Sequence, residues 1–227
     1  RLCEAGRKFE LQGGEVAETD TLSGAMYGSA LPEQWATGRG EVADFYDAKG
    51  DIEAVLSATG APAKFRFAAA SLSCLHPGRC ARILRDDEVV GWLGQLHPDL
   101  MRRLGLTYAP YLFELEIMAA LRAEVPNFAE VSRFPAIRRD LAVVVDESVP
   151  LAQLKENVSV TARGLLRELK VFDIYRGPKV EPTRKSIALG LILQENSRTL
   201  TDQEADAVVT AVKERLASEF GATIRDQ

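Results

Sequence analysis

Cysteine, histidine and long apolar runs are all scarce in this 227-residue sequence. Its cysteines, Cys3, Cys74 and Cys80, are odd in number and form no CxxC pair, which excludes a disulfide framework and a tetrahedral zinc site. A reducing, cytoplasmic setting is expected. His76 and His97 each precede a proline and have no clustered cysteine or acid, so loop or cap roles are expected for them rather than metal ligation. The longest apolar stretches are five residues, such as Leu141 to Val145, far below the ~18 of a membrane span, and no membrane partner is expected. There is no GxxxxGK[ST] phosphate loop and no nucleophile elbow, and Gly38-Arg39-Gly40 lacks the strand-before, helix-after context of a dinucleotide site. No fixed-period repeat and no low-complexity segment appear. The chain opens on Arg1 with no basic leader and no signal-type apolar region, and it reads as an excerpt of a longer one.

What is there is globular. Apolar residues make up 46% and charged residues 27%, enough for one large or two modest domains with a core. The net charge of −5 argues against strong sequence-independent binding of nucleic acid. Its distribution is uneven. Residues 1–125 carry 13 basic and 18 acidic side chains, 126–227 carry 15 of each, and the stretch 163–198 holds 8 basic against 4 acidic. That basic stripe is either an ordinary solvated surface or a footprint for an anionic partner. Val125-Pro126-Asn127-Phe128-Ala129-Glu130 interrupts a periodic segment, which sets an expected boundary between domains 1–125 and 126–227.

The second half has one supersecondary formula. Leu141, Val143 and Val145 alternate with Asp140, Ala142 and Val144 as a strand. Pro150 then opens a helix with apolar residues at Leu151, Leu154, Val158, Ala162 and Leu165. Leu169 to Arg176, ended by Gly177-Pro178, and Ser186 to Gln194 read as strands. Thr201-Asp202-Gln203-Glu204 is a capping box, Ala205, Val208, Val209, Val212, Leu216 and Phe220 follow at helical spacing, and Gly221 supplies the stop. Ala222 to Asp226 is a last short strand. The order β-α-β-β-α-β predicts a ferredoxin-like sheet with both helices on one face. With Val143, Phe172, Ile174, Leu189 and Leu191 under the helices, alternation puts Ala142, Val144, Asp173, Tyr175, Ala188, Gly190 and Ile192 on an open face. The RNP aromatic runs of RRM domains are absent.

In the first half, Asp44 to Leu56 is an amphipathic helix that ends before Gly60. Its acids Asp44, Asp47, Asp51 and Glu53 suit a helix N-terminus and a solvated face better than a metal site. Extended segments are expected at Leu2 to Leu11, Phe65 to Ala70, Ala81 to Leu84, Val89 to Leu96 and Tyr111 to Ile117, with Asp86-Asp87-Glu88 turning a hairpin. The whole chain is therefore expected to be α+β, with mostly antiparallel sheets.

Ser132-Arg133-Phe134-Pro135-Ala136-Ile137-Arg138-Arg139-Asp140-Leu141, Phe172-Asp173-Ile174-Tyr175-Arg176-Gly177, Lys185-Ser186, Leu193-Gln194-Glu195 and Ser197-Arg198-Thr199-Leu200-Thr201 carry a resemblance. They are similar to the anticodon-binding domain of the bacterial phenylalanyl-tRNA synthetase beta-subunit family. Phe45-Tyr46-Asp47-Ala48-Lys49-Gly50-Asp51, Leu75-His76-Pro77-Gly78-Arg79 and Gly91-Trp92-Leu93-Gly94-Gln95-Leu96-His97-Pro98 resemble that family's catalytic-like domain. The resemblance implies a degenerate class II synthetase-like sheet domain followed by the ferredoxin-fold domain. It also implies a heterotetramer in which a catalytic alpha subunit uses ATP and magnesium to attach phenylalanine to its tRNA. The implied partners are phenylalanine tRNA, the alpha subunit and the remaining N-terminal part of the beta subunit. No cofactor is expected in this chain. The alpha subunit's Thr-Glu-Pro-Ser-type stretch is replaced here by Ala68-Ala69-Ala70 and His76-Pro77-Gly78, so no catalytic residue is assigned and no turnover by this chain alone is expected. On the RNA-binding reading, Arg133, Arg138, Arg139, Arg176, Lys185 and Arg198 neutralise phosphates and Tyr175 stacks on a base. The alternative is a structural or small-molecule-sensing ferredoxin-like module without RNA binding, because fold alone does not fix function.

Overall fold

The computed structural model describes residues 1–32, 34–35, 40–125 and 132–225. Its first element is a hairpin closed by two glycines in positive φ, Gly13 at 61° and Gly14 at 93°. Two consecutive positive-φ residues suit the right-handed twist of paired strands. They join β1 (Leu2–Gln12) to β2 (Glu15–Met26), which pair in register from Leu2↔Ala25 to Gln12↔Glu15. Sequence periodicity misses β2, because Glu15, Glu18, Thr19, Asp20 and Thr21 give it no alternating apolar face. Cross-strand charge holds it instead: Arg7 bonds Glu18 at 2.8 Å and Asp20 at 3.1 Å.

Helix α1 (Phe45–Ser57) begins at a reciprocal cap. The Asp44 carboxylate accepts from the backbone N–H groups of Tyr46 and Asp47, and the Asp47 side chain accepts from the Asp44 N–H. Asp51 pairs with Arg1 and Glu53 with Lys49, so the acidic cluster is occupied by caps and ion pairs. β3 (Phe65–Ala69), β4 (Leu75–Arg85), β5 (Glu88–Leu96) and β6 (Tyr111–Glu116) complete a six-stranded antiparallel sheet in the order β1-β2-β6-β5-β4-β3. Strand β4 begins six residues earlier than its apolar run, across an irregular step between Leu75 and Cys80. Two helices, α2 (Pro98–Leu104) and α3 (Ile117–Ala120), are too short, at 7 and 4 residues, for a helical period to register. Both histidines act locally: His97 Nδ1 accepts from the Asp99 N–H and His76 Nδ1 from the Gly78 N–H.

The chain divides into two compact units, Arg1–Asn127 and Phe128–Gln227, and the expected linker falls mostly on residues 126–131, outside the described residues. In the second unit β7 (Ile137–Asp146), α4 (Leu151–Thr161), β8 (Leu166–Tyr175), β9 (Arg184–Leu193), α5 (Asp202–Phe220) and β10 (Thr223–Arg225) follow in the ferredoxin-like order. The sheet order is β10-β7-β9-β8, with every pair antiparallel. Val143, Leu189 and Leu191 are fully buried with Leu154, Val158, Val212 and Leu216 of the two helices. Two members of the expected core are not. Phe172 is 50% and Ile174 42% exposed. A register shift between Val171 and Asp173 inserts Phe172 as an extra residue, so Leu169 and Val171 pack on the core in its place. Ile174 stays opposite Ile187, on the sheet's edge strand.

One charged side chain is deeply buried in the first unit. Arg85, its side chain 0% exposed, donates from Nη1 to the carbonyls of Ala120 at 3.2 Å and Arg122 at 2.6 Å, and from Nη2 to Glu124 at 3.2 Å. Its guanidinium also lies 5.4 Å from the centre of the Phe65 ring. It thereby satisfies carbonyls left open at the end of α3. Arg85→Met should cost about 1–3 kcal/mol, since the fully buried Ala120 would lose its carbonyl's donor. Urea unfolding of the whole chain should show a lower midpoint at unchanged slope, and an unmoved midpoint would mean that the guanidinium is dispensable.

Candidate nucleic-acid interface

β7 and β9 pair without a break from Ile137↔Leu193 to Asp146↔Arg184. Their inward side chains, Leu141, Val143, Val145, Ile187, Leu189, Leu191 and Leu193, all belong to the core under α4 and α5. Period two then turns Arg138, Asp140, Ala142 and Val144 outward, opposite Ile192, Gly190, Ala188 and Ser186. The centre of this open face is flat, because Ala142, Ala188 and Gly190 carry little or no side chain. Gly190 leaves room for its neighbours: a Cβ would lie 3.2 Å from Asp140 Oδ1 and 3.4 Å from Arg138 Nε and Nη2, so those side chains would have to shift by a few tenths of an ångström.

Strand β8 supplies the aromatic rim. Asp173 lies opposite Ala188 and Tyr175 opposite Ser186, on the open face as alternation predicts. Tyr175 is half-buried, and its ring covers Gly177 so closely that a Cβ there would fall 2.4 Å from the phenol oxygen. The bulge adds a second aromatic that periodicity assigns to the wrong side. Phe172 stands on the open face with the Arg138 guanidinium 5.4 Å from its ring centre. The signal that could have found it was Val171 and Asp173 together, an apolar and an acidic residue two apart that unbroken alternation would force onto one face.

The other expected site residues separate into two pairs, at the start of α5 and around Glu147, with Arg138 and Arg133 each apart from them. Arg139 turns to the helix side, where it bonds Asp202 at 2.6 Å and Asp206 at 2.8 Å in the first turns of α5. Those aspartates, Asp202 first, raise its pKa further. Near it Arg198 grips Glu204 at 2.5 Å and Glu195 at 3.2 Å. Arg176 makes a two-pronged contact with Glu147, at 2.8 and 3.1 Å, which holds that carboxyl below its usual range. Lys185 is buried beside it and donates to the Glu147 carbonyl at 2.7 Å. Arg138 pairs with Asp140 at 2.7 Å. Arg133 is exposed and has no ion pair among the described residues. The structure therefore brings Arg138 and Tyr175 to one face, sets Arg139 and Arg198 at the start of α5, and gathers Arg176 and Lys185 around Glu147. A cleft of about 570 Å³ opens there, between Glu147, Arg176, Pro178 and Arg184.

The first unit has a cavity of about 560 Å³ at the start of α1, lined by Phe45, Tyr46, Phe67, Arg79 and Tyr111 among others. Its polar groups do not fit a magnesium–nucleotide. Arg79 is held by Gln95 Oε1 at 2.7 Å, the Asp44 carboxylate is spent on the helix cap, and among the described residues no other cation lines the space. Among the described residues no three His, Cys, Asp or Glu side chains gather to hold a metal. No helix among them is long and apolar enough to cross a membrane.

Comparison with known proteins matches both units. Residues 1–117 fit the model of the phenylalanyl tRNA synthetase beta chain CLM domain, and residues 132–225 that of the ferredoxin-fold anticodon binding domain. The chain is 44% identical over 226 residues to the phenylalanine–tRNA ligase beta subunit of Methylococcus capsulatus, covering 100% of the chain and 28% of that relative. It is 42% identical to the same subunit of Pseudomonas syringae pv. tomato over 225 residues, and to that of Coxiella burnetii over 226. In both cases it covers 99% of the chain and 28% of the relative. The chain thus spans just over a quarter of the length of these relatives.

The start of α5 yields a pH prediction. Hydrogen bonds from Arg198, and then from the Thr201 backbone and side chain, lower the Glu204 pKa from 4.5 to about 2. A carboxylate with a depressed folded-state pKa adds stability above its unfolded value and loses it as pH falls through the folded one. The gap in unfolding midpoint between the wild type and Glu204→Gln should therefore be full above pH 4.5 and close progressively toward about pH 2. A gap that does not change with pH would show that the charge on Glu204 is immaterial to the cap.

Proposed function

The chain belongs to the phenylalanyl-tRNA synthetase beta-chain family, and on that premise we propose that it works within a cytoplasmic ATP- and magnesium-dependent ligase that joins phenylalanine to its tRNA. In this reading the second unit holds the anticodon stem-loop. The first unit contributes no catalytic group and scaffolds the catalytic alpha subunit in a heterotetramer, together with the rest of the beta subunit.

The observation that carries the RNA reading is the open sheet face. Small residues at Ala142 and Ala188 leave a floor that a nucleotide can approach closely, with Tyr175 and Asp173 at its edge. The favoured phosphate contact is Arg133, which is exposed and has no ion pair among the described residues. Arg139, Arg176 and Arg198 would have to exchange carboxylates for phosphates. That exchange costs part of the gain, so these three weigh toward the alternative, a structural or small-molecule-sensing module. The observation that favours scaffolding is the far end of the β1–β2 hairpin, where Phe9, Leu11 and the Leu11 partner Val16 share one face and are all exposed. Contiguous apolar surface of this kind marks an interaction site.

The test is salt-dependent binding of the whole chain to phenylalanine tRNA and to an unrelated tRNA. Tyr175→Ala should weaken binding to the phenylalanine tRNA by about 1–3 kcal/mol, or 5- to 150-fold. Arg133→Ala should weaken binding to both tRNAs and lower the salt slope by about one. If the folded chain binds neither tRNA, or if both variants bind as the wild type does, the module reading replaces this one.

A further inference from the structure

The Arg138–Phe172 pair is a feature of the open face that the core packing does not account for. Phe172 sits on a bulge, half-exposed, outside the core cluster, although a bulky aromatic gains most when buried. Arg138 lies across Gly190, tied at one end by Asp140 at 2.7 Å and covering part of the Phe172 ring at the other. Three separate features produce this layout: the inserted residue in β8, the missing side chain at 190 and the acid two residues along β7.

We propose that Arg138 and Phe172 form a nucleobase shelf, distinct from Tyr175, on which an unstacked RNA base extends the guanidinium–ring stack. The proposal rests on the anticodon-binding reading above and adds a second stacking position to it. Charge selects the occupant. Arg138 is already neutralised by Asp140, Lys170 lies 3.6 Å from Glu168, and Asp173 adds an acid beside the bulge. A phosphate would find no surplus positive charge here, whereas the flat, neutral face of a base finds an aromatic ring and a planar guanidinium, both of which stack on bases. Spacing along β8 separates the two positions: Tyr175 is opposite Ser186, whereas Phe172 bulges out between the partners of Leu189 and Ala188. Two bases could thus be held by one strand.

The test uses the whole chain and an RNA stem-loop bearing the phenylalanine anticodon, together with copies carrying an abasic site at one loop position at a time. Phe172→Ala should weaken binding about 5- to 150-fold with the salt slope unchanged. Phe172→Trp should restore it. Arg138→Lys keeps the charge but removes the plane, and should also weaken binding without changing the slope. At one loop position, the abasic loss seen with the wild type should vanish in Phe172→Ala, and that position should differ from the one coupled to Tyr175→Ala. Since Phe172 is outside the core, these variants are expected to keep the wild-type unfolding midpoint. Wild-type affinity in Phe172→Ala, or losses that add independently at every abasic position, would overturn the shelf while leaving the anticodon reading in place. Failure of the wild-type chain to bind the stem-loop would overturn both. A change in self-association of Phe172→Ala with no change in RNA affinity would assign the shelf to a protein contact and overturn the proposal.

Discussion

Everything on the candidate interface depends on the pairing of β7 with β9. Seven aliphatic side chains on one side of this ladder are buried beneath α4 and α5, so the register is fixed by the core. A slip of β7 by one residue would put Arg138 and Asp140 under the helices and Leu141 and Val143 in water. The same constraint that builds the core therefore decides, two residues at a time, what the opposite face presents. Small residues there leave β7 and β9 with a surface that backbone and ring systems can approach closely, and the binding character comes from the neighbouring edge strand.

That edge strand is where local pattern and tertiary outcome part. The capping box of α5 is complete, with the Glu204 N–H donating to Thr201 Oγ1 and the Thr201 N–H to Glu204 Oε2. Its stop at Gly221 has φ 58°. These are local interactions, and a local reading finds them. The outward turn of Tyr175 follows from strict alternation and is also legible. Phe172 is legible only indirectly, through the clash of Val171 and Asp173 on one face, because a bulge keeps composition while changing parity, and the pairing with β9 then identifies the extra residue. β2 escapes for a different reason: its stabilising partners are Arg7 on one neighbouring strand and the register with β6 on the other, neither of which is a property of its own twelve residues.

The basic residues make the same point about charge. A sequence count finds an excess of cations over 163–198, but a count cannot show whether each has an acid waiting for it in the fold. Arg139 reaches across 63 residues to Asp202, and Arg176 across 29 to Glu147. Such pairs, exposed and screened, contribute little stability individually. Their effect is to set orientation: they hold the first turns of α5 against β7 and the end of β8 against the β7–α4 turn. In the first unit Arg85 does this in a dry setting, where the carbonyls it binds would otherwise have no donor.

The hairpin at the start of the chain has a separate physical consequence. Within the six-stranded sheet β1 is an edge, so one side of its eleven residues presents backbone N–H and C=O groups to whatever comes near. An edge of that length is a template for a further strand, and Glu4, Arg7, Lys8 and Glu10 along it serve as the charged guards that discourage indiscriminate pairing. Whatever seals this edge gains hydrogen bonds in register as well as apolar contact with Phe9 and Leu11, which makes the contact directional: the seal must come as an extended segment, aligned with the strand.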